Sequence, residues 1–233
     1  MDSSSTSSLG TFDPQKFLQF VGPEQHEQDF INIIKDSVQP GWTCVDVGGC
    51  VGDYSFLFAS RTGPTGKVYC FESFPNNAKI ITERVFSLNA TNIIQVINAA
   101  VTDGLKESVT LHPGRDFACQ EWNIHGQDIN GNQTPGMLTV PAVGLDRFFF
   151  ERQKPNIIKI DVEGVAAQVL RGARNTIRQQ RPVLLIETHN DTEWQAIADL
   201  KSLNYHFWNA VNDSEIDPSR EARCFHVVGV CQD

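Results

Sequence analysis

Apolar positions along the chain switch between a two-residue and a three-to-four-residue period, which predicts strands and helices in succession. Seven apolar or alternating runs predict strands, at residues 43–47, 67–72, 93–101, 156–161, 183–187, 205–210 and 224–230. Helical spacing lies between them, at residues 53–62, 76–90, 164–180 and 192–203. Runs such as 183–186 are apolar on both faces, as in strands that helices cover on both sides. The alternation predicts an α/β fold with a mostly parallel sheet.

The two ends of the chain depart from this alternation. Residues 1–10 are Ser-rich and polar and predict a disordered tail. Apolar spacing within residues 11–40 predicts a helical N-terminal cap, which leaves residues 41–233 as one domain. Only a polar turn separates the last two predicted strands, so we expect them to pair as an antiparallel hairpin.

Composition and charge exclude several classes of protein. A chain of 233 residues with 40% hydrophobic and 20% charged residues is typical of one folded domain with a sizeable core. The net charge of −9, with scattered basic residues, argues against a nucleic-acid partner. The apolar runs are too short for a membrane span. Six cysteines without paired spacing, and no secretory signal, predict a cytoplasmic protein with reduced thiols.

A glycine-rich turn follows the first predicted strand at residues 46–52, and the second strand ends in Glu72. Ligands of open α/β sheets bind at the carboxyl ends of strands, where glycines let the backbone approach closely. Cys50 and Asp53 stand where a dinucleotide fold needs its second and third glycines. A carboxylate such as Glu72 can accept two ribose hydroxyls. The pattern favours S-adenosylmethionine, and the alternative is a turn that only packs strand on helix.

These motifs resemble those of the FkbM family of class I S-adenosylmethionine-dependent methyltransferases. The resemblance spans residues 40–190 and is carried by segments 46–54, 71–75, 99–103, 144–146, 157–164, 169–173 and 181–187. The Lys-x-Asp-x-Glu-Gly block at residues 159–164 is its most specific part. It implies a seven-stranded class I methyltransferase sheet and methyl transfer to hydroxyl oxygens of sugars, glycoconjugates or polyketide-derived metabolites. We expect the S-adenosylmethionine site to comprise Asp46, Gly48, Gly49, Gly52, Tyr54, Glu72, Ser73, Ala100 and Asp161.

A second group of ionisable residues follows the fourth and fifth predicted strands. Lys159 and Asp161 share one face of an interior strand, and Glu187 and His189 share a face of the next. Together with Glu163 they should gather beside the methyl donor. We predict catalytic roles for Asp161, Glu163 and His189, and regard Asp161, Glu187 and His189 as candidate ligands of Mg²⁺ or Mn²⁺. The alternative is a structural salt-bridge network built on Lys159.

Residues 112–136 lack periodicity, and a loop this long inside a compact domain is usually functional. We predict that it forms one wall of the acceptor pocket, with Trp122, His125 and Glu187 binding substrate. The alternative is that Trp122 only anchors the loop. The predicted function is O-methylation of a sugar or glycoconjugate hydroxyl. The alternatives are a polyketide or protein acceptor, or a non-catalytic binding domain that kept the fold.

Overall fold

The computed structural model describes residues 12–22, 28–113, 122–124, 136–220 and 224–232. Its strands are β1 (Thr43–Val47), β2 (Lys67–Phe71), β3 (Ile94–Ile97), β4 (Ala100–Val101), β5 (Ser108–Pro113), β6 (Trp122–Asn123), β7 (Leu138–Val143), β8 (Ile157–Ile160), β9 (Val183–Glu187), β10 (Tyr205–Asn209), β11 (Glu215–Ile216) and β12 (His226–Cys231). Its helices are α1 (Gln15–Leu18), α2 (Gln28–Ser37), α3 (Asp53–Thr62), α4 (Pro75–Ser87), α5 (Leu145–Phe148), α6 (Ala166–Gly172), α7 (Arg174–Gln180) and α8 (Asp191–Asp199), with a 3-10 helix at Leu200–Leu203.

The main sheet has the strand order β11-β10-β12-β9-β8-β1-β2-β3. Neighbouring strands from β3 through β2, β1 and β8 to β9 are parallel, and β12 runs antiparallel to both β9 and β10. The predicted C-terminal hairpin is therefore confirmed. Because β1, β2, β8 and β9 are parallel, their carboxyl ends meet at one edge of the sheet, which is where the candidate site lies.

The prediction of seven strands is wrong by one, since this sheet has eight. All seven predicted runs contribute to it. The additional strand is β11, a two-residue edge strand inside the segment that we expected to be a polar turn. Its residues pair with Phe207 and Trp208 of β10, so the chain forms a short ladder before it turns back.

The predicted strand at residues 93–101 is broken into β3 and β4, which belong to different sheets. Asn98 lies at the break, and its side-chain amide donates hydrogen bonds to the carbonyl oxygens of Glu72 and Ser73, at 2.8 and 3.0 Å. These bonds turn the chain out of the main sheet. Beyond them, β4, β7, β5 and β6 form a four-stranded sheet that the sequence did not predict.

The helical window at residues 164–180 is two helices, α6 and α7, rather than one. The chain packs closely at Gly172, where a Cβ atom would overlap the carbonyl oxygen of Thr102. Asp146 then accepts hydrogen bonds from the backbone N–H groups of Asn175 and Thr176, at 3.0 and 2.7 Å. A carboxylate in this position satisfies donors that begin a helix, so α7 starts as a separate element.

Helices cover both faces of the main sheet and enclose two hydrophobic cores. On one face Phe17 of α1 and Phe30 of α2 are buried in the same core as Phe56 of α3. Both N-terminal helices lie within the predicted cap, residues 11–40; the predicted tail at residues 1–10 lies outside the described residues, and the domain division stays a prediction. None of the helices described here is long and apolar enough to cross a membrane.

Candidate functional site

The turn between β1 and α3 approaches the end of β8 closely. Gly48 has φ +86°, and a Cβ atom there would overlap the backbone carbonyl oxygen of Asp161. The N–H groups of Gly48 and Gly49 both donate to the carbonyl oxygen of Phe71, each at 3.0 Å. Gly52 begins α3 with φ +100°, in the left-handed region that glycine tolerates. These glycines let the turn lie against both neighbouring strands.

Glu72, directly after β2, is 6% exposed and holds this turn through its carboxylate. Its Oε2 accepts a hydrogen bond from the N–H of Cys50, and its Oε1 accepts one from the N–H of Phe74, both at 2.7 Å. Burial raises the pKa of Glu72 to about 7. The carboxylates of Asp46 and Asp161 raise it further, against the opposing effect of the two hydrogen bonds.

Buried charges lie beneath the turn. Asp46 of β1 is fully buried and accepts a hydrogen bond from Ser55 Oγ, at 2.6 Å. Lys159 is its register partner on β8, 1% exposed, with Nζ 4.0 Å from Asp46 Oδ1 and 2.7 Å from Asp161 Oδ2. The same Nζ lies 4.3 Å from the centre of the Tyr54 ring. The salt-bridge network predicted as the structural alternative therefore exists, and it joins the turn to Asp161.

Asp161, Glu187 and His189 converge at the ends of β8 and β9. One ligand-type atom from each lies within 4.8 Å of the others, and His189 Nε2 is 3.7 Å from Glu187 Oε1. Burial raises the pKa of Asp161, but the Lys159 ammonium opposes it. With further lowering contributions from Glu187 and His189, the net pKa is about 2. Asp161 therefore stays ionised, while His189 is exposed at the mouth of the cluster.

Comparison with known proteins assigns the chain to a family. The family model described as "Methyltransferase FkbM domain" matches residues 46–207, which include the glycine turn, Glu72 and the three converging residues. The chain belongs to the FkbM methyltransferase family. A curated relative is the hexuronic acid methyltransferase AglP of Haloferax volcanii, 24% identical over 178 residues that cover 76% of this chain and 68% of AglP.

Solved structures agree with the FkbM assignment at the level of the fold. An FkbM methyltransferase from Methylobacillus flagellatus superposes with a TM-score of 0.54 at 15% identity, covering 93% of this chain and 57% of that one. The precorrin-6y C5,15-methyltransferase of Geobacter metallireducens superposes with a TM-score of 0.51 at 10% identity, covering 91% and 90%. The class I methyltransferase fold is therefore shown.

The remaining residues predicted for the site differ in their burial. Ser73 is half-buried beside Asn98, and Ala100 is buried in β4. Glu163 is exposed and adopts φ +42° in the turn after β8. For Trp122 the structure describes only the backbone, which pairs with β5, and His125 lies outside the described residues. The predicted wall formed by residues 112–136 therefore stays a prediction.

Sequence reasoning missed Glu193, which holds two backbone segments of the candidate site in place. Glu193 is fully buried, and its Oε2 accepts hydrogen bonds from the N–H groups of His189 and Asn190, at 2.6 and 3.1 Å. Its Oε1 accepts one from the N–H of Ala166, at 2.8 Å. The carboxylate thus ties the segment after β8 to the segment after β9. The signal was present as an Asn-x-x-Glu capping box at residues 190–193.

Proposed function

We propose that this methyltransferase transfers a methyl group from S-adenosylmethionine to a hydroxyl oxygen of a sugar or glycoconjugate. One observation carries the proposal: Gly48 of the glycine turn lies against Asp161, and Asp161 belongs to the cluster with Glu187 and His189. A donor site in contact with acid–base groups is what transfer to a weakly acidic hydroxyl requires. Similarity to a hexuronic acid methyltransferase supports a sugar as the acceptor class.

The donor would occupy the glycine turn and the end of β2. Each oxygen of Glu72 accepts one backbone N–H and has a second lone pair for a ribose hydroxyl. The start of α3, at Gly52, favours the carboxylate of the methionine portion. Asp46 has no exposed surface, so we assign it to the ammonium of the donor only through water or through its neighbours. Ser73 and Ala100 would border the adenine.

His189 is the best proton acceptor in the cluster. The carboxylate of Asp161 is a weak base because its pKa is about 2, whereas imidazole is the side chain most often used as a general base. Glu187, 3.7 Å from the ring, is placed to orient it, and such contacts often tighten when substrate binds. During transfer the S–CH₃ bond breaks, the O–CH₃ bond forms and the hydroxyl proton passes to His189. S-adenosylhomocysteine leaves as a neutral thioether.

A divalent cation is a second candidate role for the same residues. Two carboxylates and one imidazole suit Mg²⁺ or Mn²⁺, and their spacing within 4.8 Å is close to an octahedral shell about 4 Å across. A bound cation would acidify the acceptor hydroxyl. Lys159 opposes it, because its ammonium already occupies one oxygen of Asp161 at 2.7 Å. We therefore rank the cation below His189.

The decisive experiment incubates the purified protein with methyl-labelled S-adenosylmethionine and a panel of glycosides. We expect the sugars to carry label that survives mild alkali. A methyl ether of a hydroxyl is stable under these conditions, whereas a methyl ester of a carboxylate hydrolyses, so the treatment distinguishes the two products. His189→Ala should lower kcat by about 10²- to 10⁴-fold while S-adenosylhomocysteine still binds. His206→Ala, a surface histidine paired with Glu215, is the matched control and should leave kcat unchanged.

Other outcomes separate the alternatives. Label in a protein or a polyketide, with none in sugars, would show that the acceptor is not a sugar. Cofactor binding without transfer to any acceptor would indicate a non-catalytic binding domain. Activity that disappears with a chelator and returns with Mg²⁺ or Mn²⁺ would favour a bound divalent cation over His189 as the group that activates the hydroxyl. A cytoplasmic location also remains our proposal, supported by the free thiols of the five described cysteines.

A further inference from the structure

A groove of about 880 Å³ opens beside the converging cluster, at the carboxyl edge of the main sheet. Its walls are α2, the segment after β10 and the residues that enter β12. Glu187 belongs both to the cluster and to the groove, since β9 ends where β12 begins and Glu187 pairs in register with His226. A molecule in the groove would therefore reach the residues assigned to proton transfer.

Phe225 gives the groove a flat apolar surface next to His189. The residue is 61% exposed, and its ring meets the His189 ring edge-on with the centroids 5.6 Å apart. An exposed aromatic face of this kind suits the C–H face of a sugar ring, while the surrounding polar side chains suit hydroxyls. The groove is thus open and amphipathic, and it reaches the cluster at one end.

The charge of the groove is one-sided. Among the lining residues that the structure describes, Asp29, Asp36, Asp213 and Glu187 carry carboxyl groups, and none carries an ammonium or a guanidinium. Two of these carboxylates face histidines: Asp29 Oδ2 lies 2.6 Å from His226 Nδ1, and Glu187 Oε1 lies 3.7 Å from His189 Nε2. Asp36 and Asp213 are exposed. The carboxylate of a ligand brought into this groove would meet like charges, which disfavours binding.

We propose that this groove holds the acceptor and selects uncharged or ammonium-bearing sugars against uronic acids. The inference rests on the proposed function and narrows it. It also separates this chain from its relative AglP, which is named for a hexuronic acid. Asp36 and Asp213 are the specificity-determining residues, because both are exposed carboxylates of the groove outside the proton-transfer cluster.

The test uses p-nitrophenyl glycosides of glucose, glucosamine and glucuronic acid, which differ mainly in charge. Binding is measured by saturation-transfer NMR with S-adenosylhomocysteine present, and transfer is measured by kcat/KM. We expect glucosamine and glucose to bind at least ten times more tightly than glucuronic acid, with a preference that weakens in 0.5 M salt. Asp36→Asn/Asp213→Asn should reduce the preference about three- to tenfold. Asn is chosen because Asp213 has φ +55°, which Asn tolerates.

The matched control is Glu151→Gln/Asp199→Asn, which removes two exposed carboxylates outside the groove and should leave the preference unchanged. Equal or tighter binding of glucuronic acid would overturn the inference, as would no binding of any glycoside or an equal effect of the control variant. Sugars that bind with the expected preference but receive no methyl group would instead overturn the proposed function.

Discussion

Lys159 and Asp161 lie two residues apart at the end of β8, and Lys159 Nζ donates to Asp161 Oδ2 over 2.7 Å. Lys159 is 1% exposed, and its register partner Asp46 is fully buried with Oδ1 4.0 Å from the same nitrogen. One ammonium therefore compensates two carboxylates, as buried charges require. Because Asp161 also reaches Glu187 and His189, this ion-pair network supports the candidate site from inside the protein.

Replacing Lys159 should destabilise the fold far more than replacing a surface lysine in a similar pair. Lys159→Met leaves two carboxylates without their ammonium, and we expect a loss of about 3–5 kcal/mol in the free energy of unfolding. Lys201→Met is the matched control, since Lys201 Nζ lies 2.8 Å from Asp217 at the surface, where solvent screens the pair. Urea denaturation measures both. Equal midpoints for the two variants would refute a structural role for Lys159.

Alanine substitutions at Gly48 and Gly63 should distinguish the cost of backbone strain from the cost of a steric overlap. Both have positive φ, +86° and +73°. A Cβ atom added to Gly48 would overlap the Asp161 carbonyl oxygen, whereas a Cβ atom added to Gly63 would have no neighbouring atom within 4 Å. Gly63 has ψ −169°, a conformation essentially restricted to glycine, so Gly63→Ala should cost about 1–3 kcal/mol from strain alone. Gly48→Ala should cost more and should also abolish binding of S-adenosylhomocysteine, measured by calorimetry. Intact binding by Gly48→Ala would remove the turn from the donor site.

Most of the fold could be predicted because its signals are local. Hydrophobic periodicity found all seven long strands of the main sheet and the bounds of α3. It failed at residues 93–101, where the break depends on hydrogen bonds from Asn98 to carbonyl groups about 25 residues away. It also missed β11, whose two residues pair with β10 inside a polar segment. Such contacts leave no periodic pattern in the chain.

The site could be predicted in part for a topological reason. Asp161, Glu187 and His189 meet because parallel neighbouring strands end at the same edge of a sheet, so their positions after two strands were sufficient. The support from Glu193 could not be predicted in the same way. Its capping box is visible in the sequence, but its bond to the N–H of Ala166, 27 residues away, requires the fold.

Glu193 should act on both stability and the position of His189. Glu193→Ala removes three hydrogen bonds to backbone N–H groups inside the protein, and we expect a loss of about 2–4 kcal/mol in unfolding free energy. It should also shift the NMR resonances of the His189 ring and lower kcat. Asn190→Ala removes the other half of the capping box and should cost about 1 kcal/mol. Unchanged His189 resonances in Glu193→Ala would contradict the positioning role.

The raised pKa of Glu72 predicts a loss of stability with rising pH. The pKa is about 7 in the folded protein and near its ordinary value of 4.5 in the unfolded chain. The folded state therefore favours the protonated carboxyl, which adds to the free energy of unfolding. This stabilisation is fully present below pH 4.5 and is lost as pH rises through 7. Its size is on the order of 3 kcal/mol. Urea titrations of wild type and Glu72→Gln should show the wild type losing stability relative to the variant over this interval.

Donor binding should follow the opposite pH dependence. Ribose hydroxyls donate hydrogen bonds to Glu72, and an ionised acceptor makes the stronger bond, so the donor binds the form of the protein in which Glu72 is charged. With a pKa of about 7, that form rises from roughly a tenth of the protein at pH 6 to roughly nine tenths at pH 8. The affinity for S-adenosylhomocysteine should therefore increase several-fold to about tenfold across this range, and calorimetry in buffers of different ionisation enthalpy should detect a released proton near pH 6.5.

Glu72→Gln is the control for this dependence: it should bind S-adenosylhomocysteine more weakly, with no pH dependence in this range. An affinity that is flat or falls with pH in the wild type would mean that Glu72 does not hold the ribose.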